Sequence, residues 1–256
     1  MGDLESIMTA PRTVTIPTVA AYPLDQDQFT IHIQANGKTL MHVLRRPTFG
    51  ELAERDQQSV YETEEVSADQ DTITLDDERA NANLWNKIAV SISGYKTQGH
   101  RADETITVTP DIAEKIPSAH KATAIRGMYS FTAVIEASDD DGFDLDGENF
   151  VIAQTMGEPD APVYVIRHTL RQPTEGERQD YKKKASRTLY SRGTKRTRAR
   201  IVTNLKASVE LYDKLFVEVD GVEYTGAQPV QTMIDPAWKR QVVSTLRSSF
   251  ESSLSD

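Results

Sequence analysis

One motif occurs twice in the chain and constrains its fold more than any other feature. LRRPTFGEL spans residues 44–52 and LRQPTEGER spans residues 170–178, so both copies read Leu-Arg-x-Pro-Thr-x-Gly-Glu. Two more pairs of similar stretches follow in the same order: NLWNKIAVSISGY at 83–95 with ELYDKLFVEVDGVEY at 210–224, and IPSAHKATAIRGM at 116–128 with IDPAWKRQVVSTL at 234–246. Three matching blocks in one order predict a tandem duplication of a whole domain.

Each predicted repeat begins with a β-hairpin. FTIHIQANGKTLMHVL alternates in polarity around Asn36-Gly37, which is a strong signal for a two-residue turn. Its counterpart, FVIAQTMGEPDAPVYVIRHTL, predicts a hairpin with a longer turn that contains glycine and proline.

Helices and one short strand follow the hairpin in both repeats. One helix is predicted after each Pro-Thr step, and a second at about 80–88 and 203–214. FVEVDGVEY then predicts a strand with a tight turn at Asp220-Gly221, and a last helix begins near Ser118 and near Asp235-Pro236. The predicted fold class is α+β: two tandemly duplicated small domains, each with antiparallel hairpins packed on about three helices.

The repeated motif has a physical explanation as a junction between a strand and a helix. Thr48 with Glu51, and Thr174 with Glu177, have the spacing of a capping box, in which side chain and backbone satisfy each other. Such a cap contributes about 0.5–2 kcal/mol. The cap alone does not explain the arginine in each motif, Arg45 and Arg171, which is either a partner contact or a solvated strand end.

Two segments are predicted to lie outside the repeats. Residues 1–27 contain three prolines and little periodicity, which is typical of an extended N-terminal arm. Residues 136–148, EASDDDGFDLDGE, have the composition of an acidic linker. The predicted domains are therefore repeat 1 at residues 28–135, which is acidic, and repeat 2 at residues 149–256.

The net charge of −10 is unevenly distributed. Residues 1–148 hold 12 Lys and Arg against 26 Asp and Glu, and residues 149–256 hold 17 against 13. Residues 181–200 hold nine basic residues and no acid, whereas the region that follows the first motif is strongly acidic. Opposite charges at equivalent places favour head-to-tail docking between copies. A solvated face and a nucleic-acid-binding surface are the alternatives.

The basic segment also supplies most of the candidate partner-binding residues. Tyr181, Ala185 and Leu189 keep a helical spacing, which predicts an amphipathic helix with a basic outer face. The full candidate set comprises Arg45, Arg171, Lys182, Lys183, Lys184, Arg187, Arg192, Lys195, Arg196, Arg198 and Arg200.

Motifs for catalysis, metals and cofactors are missing from the sequence. The chain has no cysteine, and its five histidines form no HxxxH or HExxH pair. GVEYTGAQ has the glycine spacing of a phosphate loop but lacks its Lys-Ser/Thr ending. The acidic linker does not fit the ligand positions of a calcium loop. The sequence therefore predicts no enzymatic activity, no metal and no cofactor, and packing explains His32 and His42 better than metal binding.

The segment from hairpin to capped helix resembles one found in bacteriophage tail assembly proteins, particularly the small tail assembly chaperones. The resemblance covers residues 29–52 and 150–178 and rests on the Leu-Arg-x-Pro-Thr junction. Those chaperones are usually single domains, whereas this chain carries two copies and an additional arm. The resemblance implies a phage tail or virion protein without enzymatic activity.

The expected function is therefore that of a structural component of a phage tail or baseplate, acting through protein–protein packing. Its expected partners are other tail or virion proteins, including neighbouring copies of itself, with no membrane and no nucleic acid. The expected location is the virion, after synthesis in the host cytoplasm. One alternative is a transient tail assembly chaperone that binds the tape measure protein. A second is a nucleic-acid-associated protein that uses residues 181–200.

Overall fold

The computed structural model describes residues 20–58, 60–62, 73–75, 77–136, 149–158, 161–190, 197–202 and 204–252. The elements in chain order are β1 (Tyr22–Pro23), β2 (Gln28–Ala35), β3 (Lys38–Arg45), α1 (Phe49–Gln58), β4 (Val60–Glu62), β5 (Ile73–Leu75), α2 (Asp77–Ile88), β6 (Ala89–Ser93), β7 (Ile106–Thr107), α3 (Pro110–Lys115), α4 (Ser118–Met128), β8 (Phe131–Ile135), β9 (Asn149–Glu158), β10 (Ala161–Arg171), α5 (Glu175–Lys184), β11 (Ser186–Tyr190), β12 (Thr197–Val202), α6 (Leu205–Leu215), β13 (Phe216–Asp220), β14 (Val222–Glu223), α7 (Val230–Met233) and α8 (Pro236–Ser252). Antiparallel sheets and helices together confirm the predicted α+β class.

The first half is built on an antiparallel sheet with the strand order β2-β3-β6-β7. The hairpin predicted at Asn36-Gly37 is present, and both turn residues have positive φ, 51° and 71°, as a tight two-residue turn requires. Leu40, His42 and Leu44 alternate along β3 toward the buried face, where α2 and α4 pack. Trp85, on α2, is fully buried at the centre of this core.

The second half has an antiparallel sheet with the order β13-β10-β9-β8. Ile166, His168 and Leu170 alternate along β10 toward the buried face, equivalent in spacing to the three on β3. Tyr212, on α6, occupies the central buried place that Trp85 has in the first half. Pairing of β9 with β10 reaches Glu158 and Ala161, which confirms the predicted hairpin, and the residues between them lie outside the described part of the chain.

The order of elements recurs between the halves. Each has a hairpin, a capped helix, a two-stranded β-sheet, a second helix, a strand that joins the hairpin, and a final helix. The two-stranded sheets, β4 with β5 and β11 with β12, lie at equivalent places and are not predicted from the sequence. Tandem duplication stays an interpretation, and the recurring order supports it.

Two connections tie the ends of the predicted repeats to the second half. β8 belongs by sequence to the first repeat but pairs with β9 in the second sheet. β1 lies in the predicted N-terminal arm and pairs in parallel with β14. Tyr22 and Leu24 are buried in the second core, so the described part of the arm packs on its own chain. The predicted linker lies outside the described residues except for Glu136, which forms an ion pair with Arg167.

The chain bends at Gly221, next to the predicted Asp220-Gly221 turn, but β14 does not fold back on β13 as a hairpin would require. Gly221 has a φ of 76°, and β14 leaves the sheet to pair with β1. None of the described helices is long and apolar enough to cross a membrane.

Candidate docking surface

Both capped junctions have the geometry that the sequence predicts. The backbone N–H of Thr48 donates to Glu51 Oε2 at 2.8 Å, and the N–H of Glu51 donates to Thr48 Oγ1 at 3.3 Å. The corresponding distances for Thr174 and Glu177 are 3.0 Å and 3.3 Å. The structural interpretation of the repeated motif, a strand end followed by a capped helix, is therefore confirmed.

The arginine of each motif forms a bidentate ion pair with the capping glutamate of the same junction. Arg45 donates to both carboxylate oxygens of Glu51, at 2.9 and 2.6 Å, and Arg171 does the same to Glu177, at 2.9 and 2.7 Å. The hydrogen bond from the arginine is the main reason that the pKa of each glutamate falls to about 2. Both candidate residues thus have an intramolecular role, as orienting groups for the cap.

Helix α1 packs against the second half of the chain. It contacts α6 and α8, and Leu205, at the start of α6, is buried in the core of the first half. At this contact Arg240, on α8, forms an ion pair with Asp56, whose side chain is only 15% exposed. Part of the acidic character of the first half therefore complements a basic residue of the second half within one molecule.

Arg46, the second arginine of LRRPT, joins three segments at the same boundary. Its guanidinium donates to the carbonyl oxygens of Leu24, Gln26 and Met233 at 2.9, 3.0 and 3.2 Å. The equivalent residue of the second motif is Gln172. Arg46 is thus an inter-half clamp that the repeated motif does not require, and sequence reasoning missed it.

Asp235 lies buried at this boundary. Its Oδ1 accepts the backbone N–H of Ala237 at 2.8 Å, which is the predicted cap of α8. Burial raises the pKa of Asp235 to about 6, although the Ala237 N–H and the positive charges of Arg46 and Arg240 act in the opposite direction. The boundary therefore holds a carboxyl group that titrates near neutral pH.

Helix α5 is the counterpart of α1, and it presents a different surface. At the position equivalent to Asp56 it carries Lys182, which is exposed together with Lys183 and Lys184. Lys184 forms ion pairs with Asp180 and Glu210 at 3.0 and 2.9 Å. Where α1 is covered by the other half, α5 offers an exposed basic face.

Helix α1 covers the start of α6, and the equivalent surface in the first half is the start of α2. Asp77 and Glu78 are exposed there, whereas Leu205, at the position equivalent to Glu78, is buried against the first half. Asp77 has an ion pair of 3.7 Å with Arg55. An exposed acidic patch on the first half thus corresponds to an occupied apolar contact on the second.

The rest of the basic segment differs from the predicted helix. Tyr181 and Ala185 are buried as predicted, but α5 ends at Lys184 and Leu189 lies on β11, so the helical prediction beyond residue 184 is wrong. Thr188 and Tyr190 are of residue types that favour a strand. Arg187 lies on β11 and Arg198 and Arg200 on β12. Arg192, Lys195 and Arg196 lie outside the described residues.

The buried histidines are held in hydrogen-bonded networks. Trp85 Nε1 donates to His42 Nδ1 at 3.0 Å, so the His42 proton lies on Nε2, 3.1 Å from the Tyr95 hydroxyl. His168 Nδ1 lies 2.8 Å from the Tyr212 hydroxyl and its Nε2 lies 2.9 Å from Gln154 Oε1. Burial lowers the pKa of His42 to about 4, with help from His120, and that of His168 to about 3.

These networks occupy equivalent places between the hairpin and the second helix of each half. Both histidines have no solvent exposure, which confirms the packing interpretation for His42, whereas His32 is exposed. Among the described residues, no three His, Asp or Glu side chains are grouped so that they could hold a metal ion.

No protein-family model, no curated protein and no solved structure matched the chain significantly.

Proposed function

We propose that the chain is a non-enzymatic structural component of a bacteriophage tail or virion, and that it acts by packing head to tail against neighbouring copies. The phage assignment rests on the resemblance of the hairpin and capped-helix units to tail assembly proteins. The packing mode rests on one observation: the contact between the halves uses α1 on one side and α6 with α8 on the other. Such a contact is heterologous, so it leaves one unused surface of each kind.

In the described part of the chain, the equivalent surfaces are α5 on the second half and the start of α2 on the first, and both carry exposed side chains. In the occupied contact, α1 reaches the start of α6. The equivalent contact between two molecules brings α5 of one copy to the start of α2 of the next. Because the same arrangement then recurs at each added copy, the contact propagates rather than closing as a twofold dimer.

Charge supports the same pairing. Lys182 and Lys183 are exposed on α5, and Asp77 and Glu78 are exposed at the start of α2. Opposite charges on facing patches accelerate association and disfavour wrong partners. Exposed pairs contribute little stability individually, about 0–1 kcal/mol each, so the contact is weak for isolated copies and depends on assembly.

Charge reversal tests the packing mode in solution. We expect the wild type to associate in a concentration-dependent way in analytical ultracentrifugation at low salt, and Lys182→Glu with Lys183→Glu to abolish this association. Mixing this variant with an Asp77→Lys, Glu78→Lys variant is expected to restore association, as assemblies in which the two variants alternate. Lys38→Glu, an exposed lysine at the tip of the first hairpin, is the matched control and leaves association unchanged. Association that persists in the double α5 variant rules out this interface.

A second test addresses the place of the protein in the particle. Quantitative mass spectrometry of purified virions is expected to find the chain in fixed, multiple copies. Its absence from mature particles, combined with capture of the tape measure protein from infected cells, identifies the transient chaperone instead.

The exposed lysines of α5 would contact phosphates in the nucleic-acid alternative, so their substitution tests it. For that alternative, duplex DNA binding weakens with salt along a steep log–log slope, and Lys182→Glu reduces that slope by about one. The structural proposal expects no measurable duplex binding at low salt.

A further inference from the structure

A pocket of about 320 Å³ opens on the first half between α2, α3 and α4. Asn86, Thr109, Glu114 and Lys121 supply polar groups to its lining. Lys121 is only 6% exposed, and its Nζ donates to Asn86 Oδ1 at 2.8 Å and lies 5.2 Å from the centre of the Trp85 ring. The pocket therefore has a lysine ammonium in its wall.

The second half carries the equivalent lysine in a different electrostatic state. Lys239 is 4% exposed and lies 5.3 Å from the centre of the Tyr212 ring, just as Lys121 lies over Trp85. Its Nζ, however, forms an ion pair of 2.6 Å with Asp213. Asp213 is the residue that aligns with Asn86. The buried ammonium is thus hydrogen-bonded to a carboxylate in the second half and to a neutral amide in the first.

The change from aspartate to asparagine also alters the hydrogen-bonding capacity of the pocket. Both carboxylate oxygens of an aspartate accept, whereas an asparagine that accepts through Oδ1 keeps two N–H donors. The Asn86 amino group has no hydrogen-bond partner among the described residues. Burial lowers the pKa of Lys121, and the negative charge of the exposed Glu114 acts in the opposite direction. Among the described residues, the pocket wall thus combines an ammonium that is hydrogen-bonded to no carboxylate with an amide donor that has no partner.

We infer that this pocket binds a carboxylate, which takes the electrostatic role beside Lys121 that Asp213 has beside Lys239. A carboxylate accepts from the ammonium and from the Asn86 amide at once, and it restores charge balance at a buried cation. A doubly charged phosphate is disfavoured relative to a carboxylate, because the wall offers one cation and the negative charge of Glu114 repels a dianion more strongly than a monoanion.

The carboxylate has two sources with the same chemistry. A free small carboxylate fits within the volume of the pocket, and so does an aspartate or glutamate side chain from another protein. The inference is independent of the head-to-tail contact, because none of its groups lies on α5 or at the start of α2.

The test is a titration of the full chain with acetate, followed by the Trp85 indole N–H signal in NMR spectra. We expect a saturable shift for the wild type, since Lys121 packs on that ring, and no saturable shift with inorganic phosphate. Asn86→Asp supplies the missing carboxylate within the chain and is expected to weaken acetate binding by about tenfold or more. Lys121→Gln is expected to do the same.

Asp213→Asn is the matched control in the second half and leaves acetate binding at Trp85 unchanged. The two sources are separated by repeating the titration with a blocked peptide that contains a single glutamate. Tighter binding of this peptide than of acetate assigns the site to a protein side chain, and the reverse order assigns it to a small molecule. Acetate affinity that is the same in the wild type and Asn86→Asp, or the lack of a saturable wild-type response, overturns the inference.

Discussion

Arg240 of the second half forms an ion pair with Asp56 of the first half, and both side chains are largely buried. Asp56 also accepts a hydrogen bond from Arg55, the preceding residue of α1. Its carboxylate therefore binds one arginine on α1 and one on α8. The position equivalent to Asp56 in the second half is the exposed Lys182. Equivalent places on α1 and α5 thus carry opposite charges: Asp56 contacts the other half of the chain, whereas Lys182 is exposed.

The first prediction concerns the energetic weight of this pair. Asp56→Ala leaves the Arg240 guanidinium without its carboxylate in a partly buried site, which is expected to lower the free energy of unfolding by about 1–3 kcal/mol. The measurement is urea denaturation followed by circular dichroism, with the midpoint and slope both fitted.

Glu54→Ala is the control on the same helix. Glu54 pairs with Lys87, and both side chains are 40% exposed or more, so the expected loss is about 0–1 kcal/mol. Equal effects of the two variants would show that the pair between the halves has no special role.

The second prediction concerns Gly221, at the tight bend after β13. Its φ is 76°, and a Cβ there clashes with the carbonyl oxygen of Val165. Gly221→Ala is expected to lower the free energy of unfolding by about 2 kcal/mol or more, because backbone strain and a clash with backbone add together. Gly99→Ala separates the two causes, since Gly99 has a φ of 90° with no atom within 4 Å of the added Cβ. It is expected to cost about 1 kcal/mol.

The sequence predicts those parts of the structure that depend on local chemistry. The Asn36-Gly37 turn and the Thr174–Glu177 capping box each involve residues within a few positions, and both have the expected geometry. The Asp235 cap is predicted for the same reason. Such signals work because the side chain satisfies backbone groups of its own segment.

Contacts between distant segments carry no comparable signal. Nothing in the sequence around Asp56 identifies Arg240 as its partner, because the two residues meet only when α1 packs on α8. Arg46 looks like part of a repeated motif, but its three acceptors are backbone carbonyls from two other segments. The basic character of residues 181–200 likewise conceals two strands, β11 and β12, since charge reports on solvation rather than on backbone conformation.

The third prediction concerns acid sensitivity from the buried histidines. Burial holds the pKa of His42 at about 4 and that of His168 at about 3, below the ordinary value of 6.5. The unfolded chain therefore takes up protons first, and the stability from these residues is present in full above about pH 6.5. It is lost as the pH falls toward about 4, by about 1.4 kcal/mol per pH unit for each histidine.

Urea denaturation between pH 7 and pH 4 measures this loss. His168→Gln is expected to reduce the pH dependence in this window, whereas His32→Gln, on the exposed face of β2, leaves it unchanged. A variant without His168 whose stability falls with acid as steeply as the wild type would contradict the assignment.

The fourth prediction concerns Asp235, whose contribution has the opposite sign. Burial raises its pKa to about 6 in the folded chain, against about 4 in the unfolded chain. The folded protein thus holds the proton more tightly, and the contribution to stability is present below about pH 4 and lost as the pH rises through about 6. The difference of about two pH units corresponds to about 3 kcal/mol at most.

Asp235→Asn isolates this contribution, because asparagine keeps an oxygen that accepts the Ala237 N–H but does not ionise. The variant is expected to gain stability relative to the wild type as the pH rises from 4 to 7, measured by the same denaturation series. If the free energies of unfolding of the variant and the wild type differed by the same amount at every pH from 4 to 7, the ionisation of Asp235 would not affect stability in this range. A gain confined to pH 4–6 ties the ionisation of one buried carboxyl group to the boundary where α1 and Arg46 meet the second half.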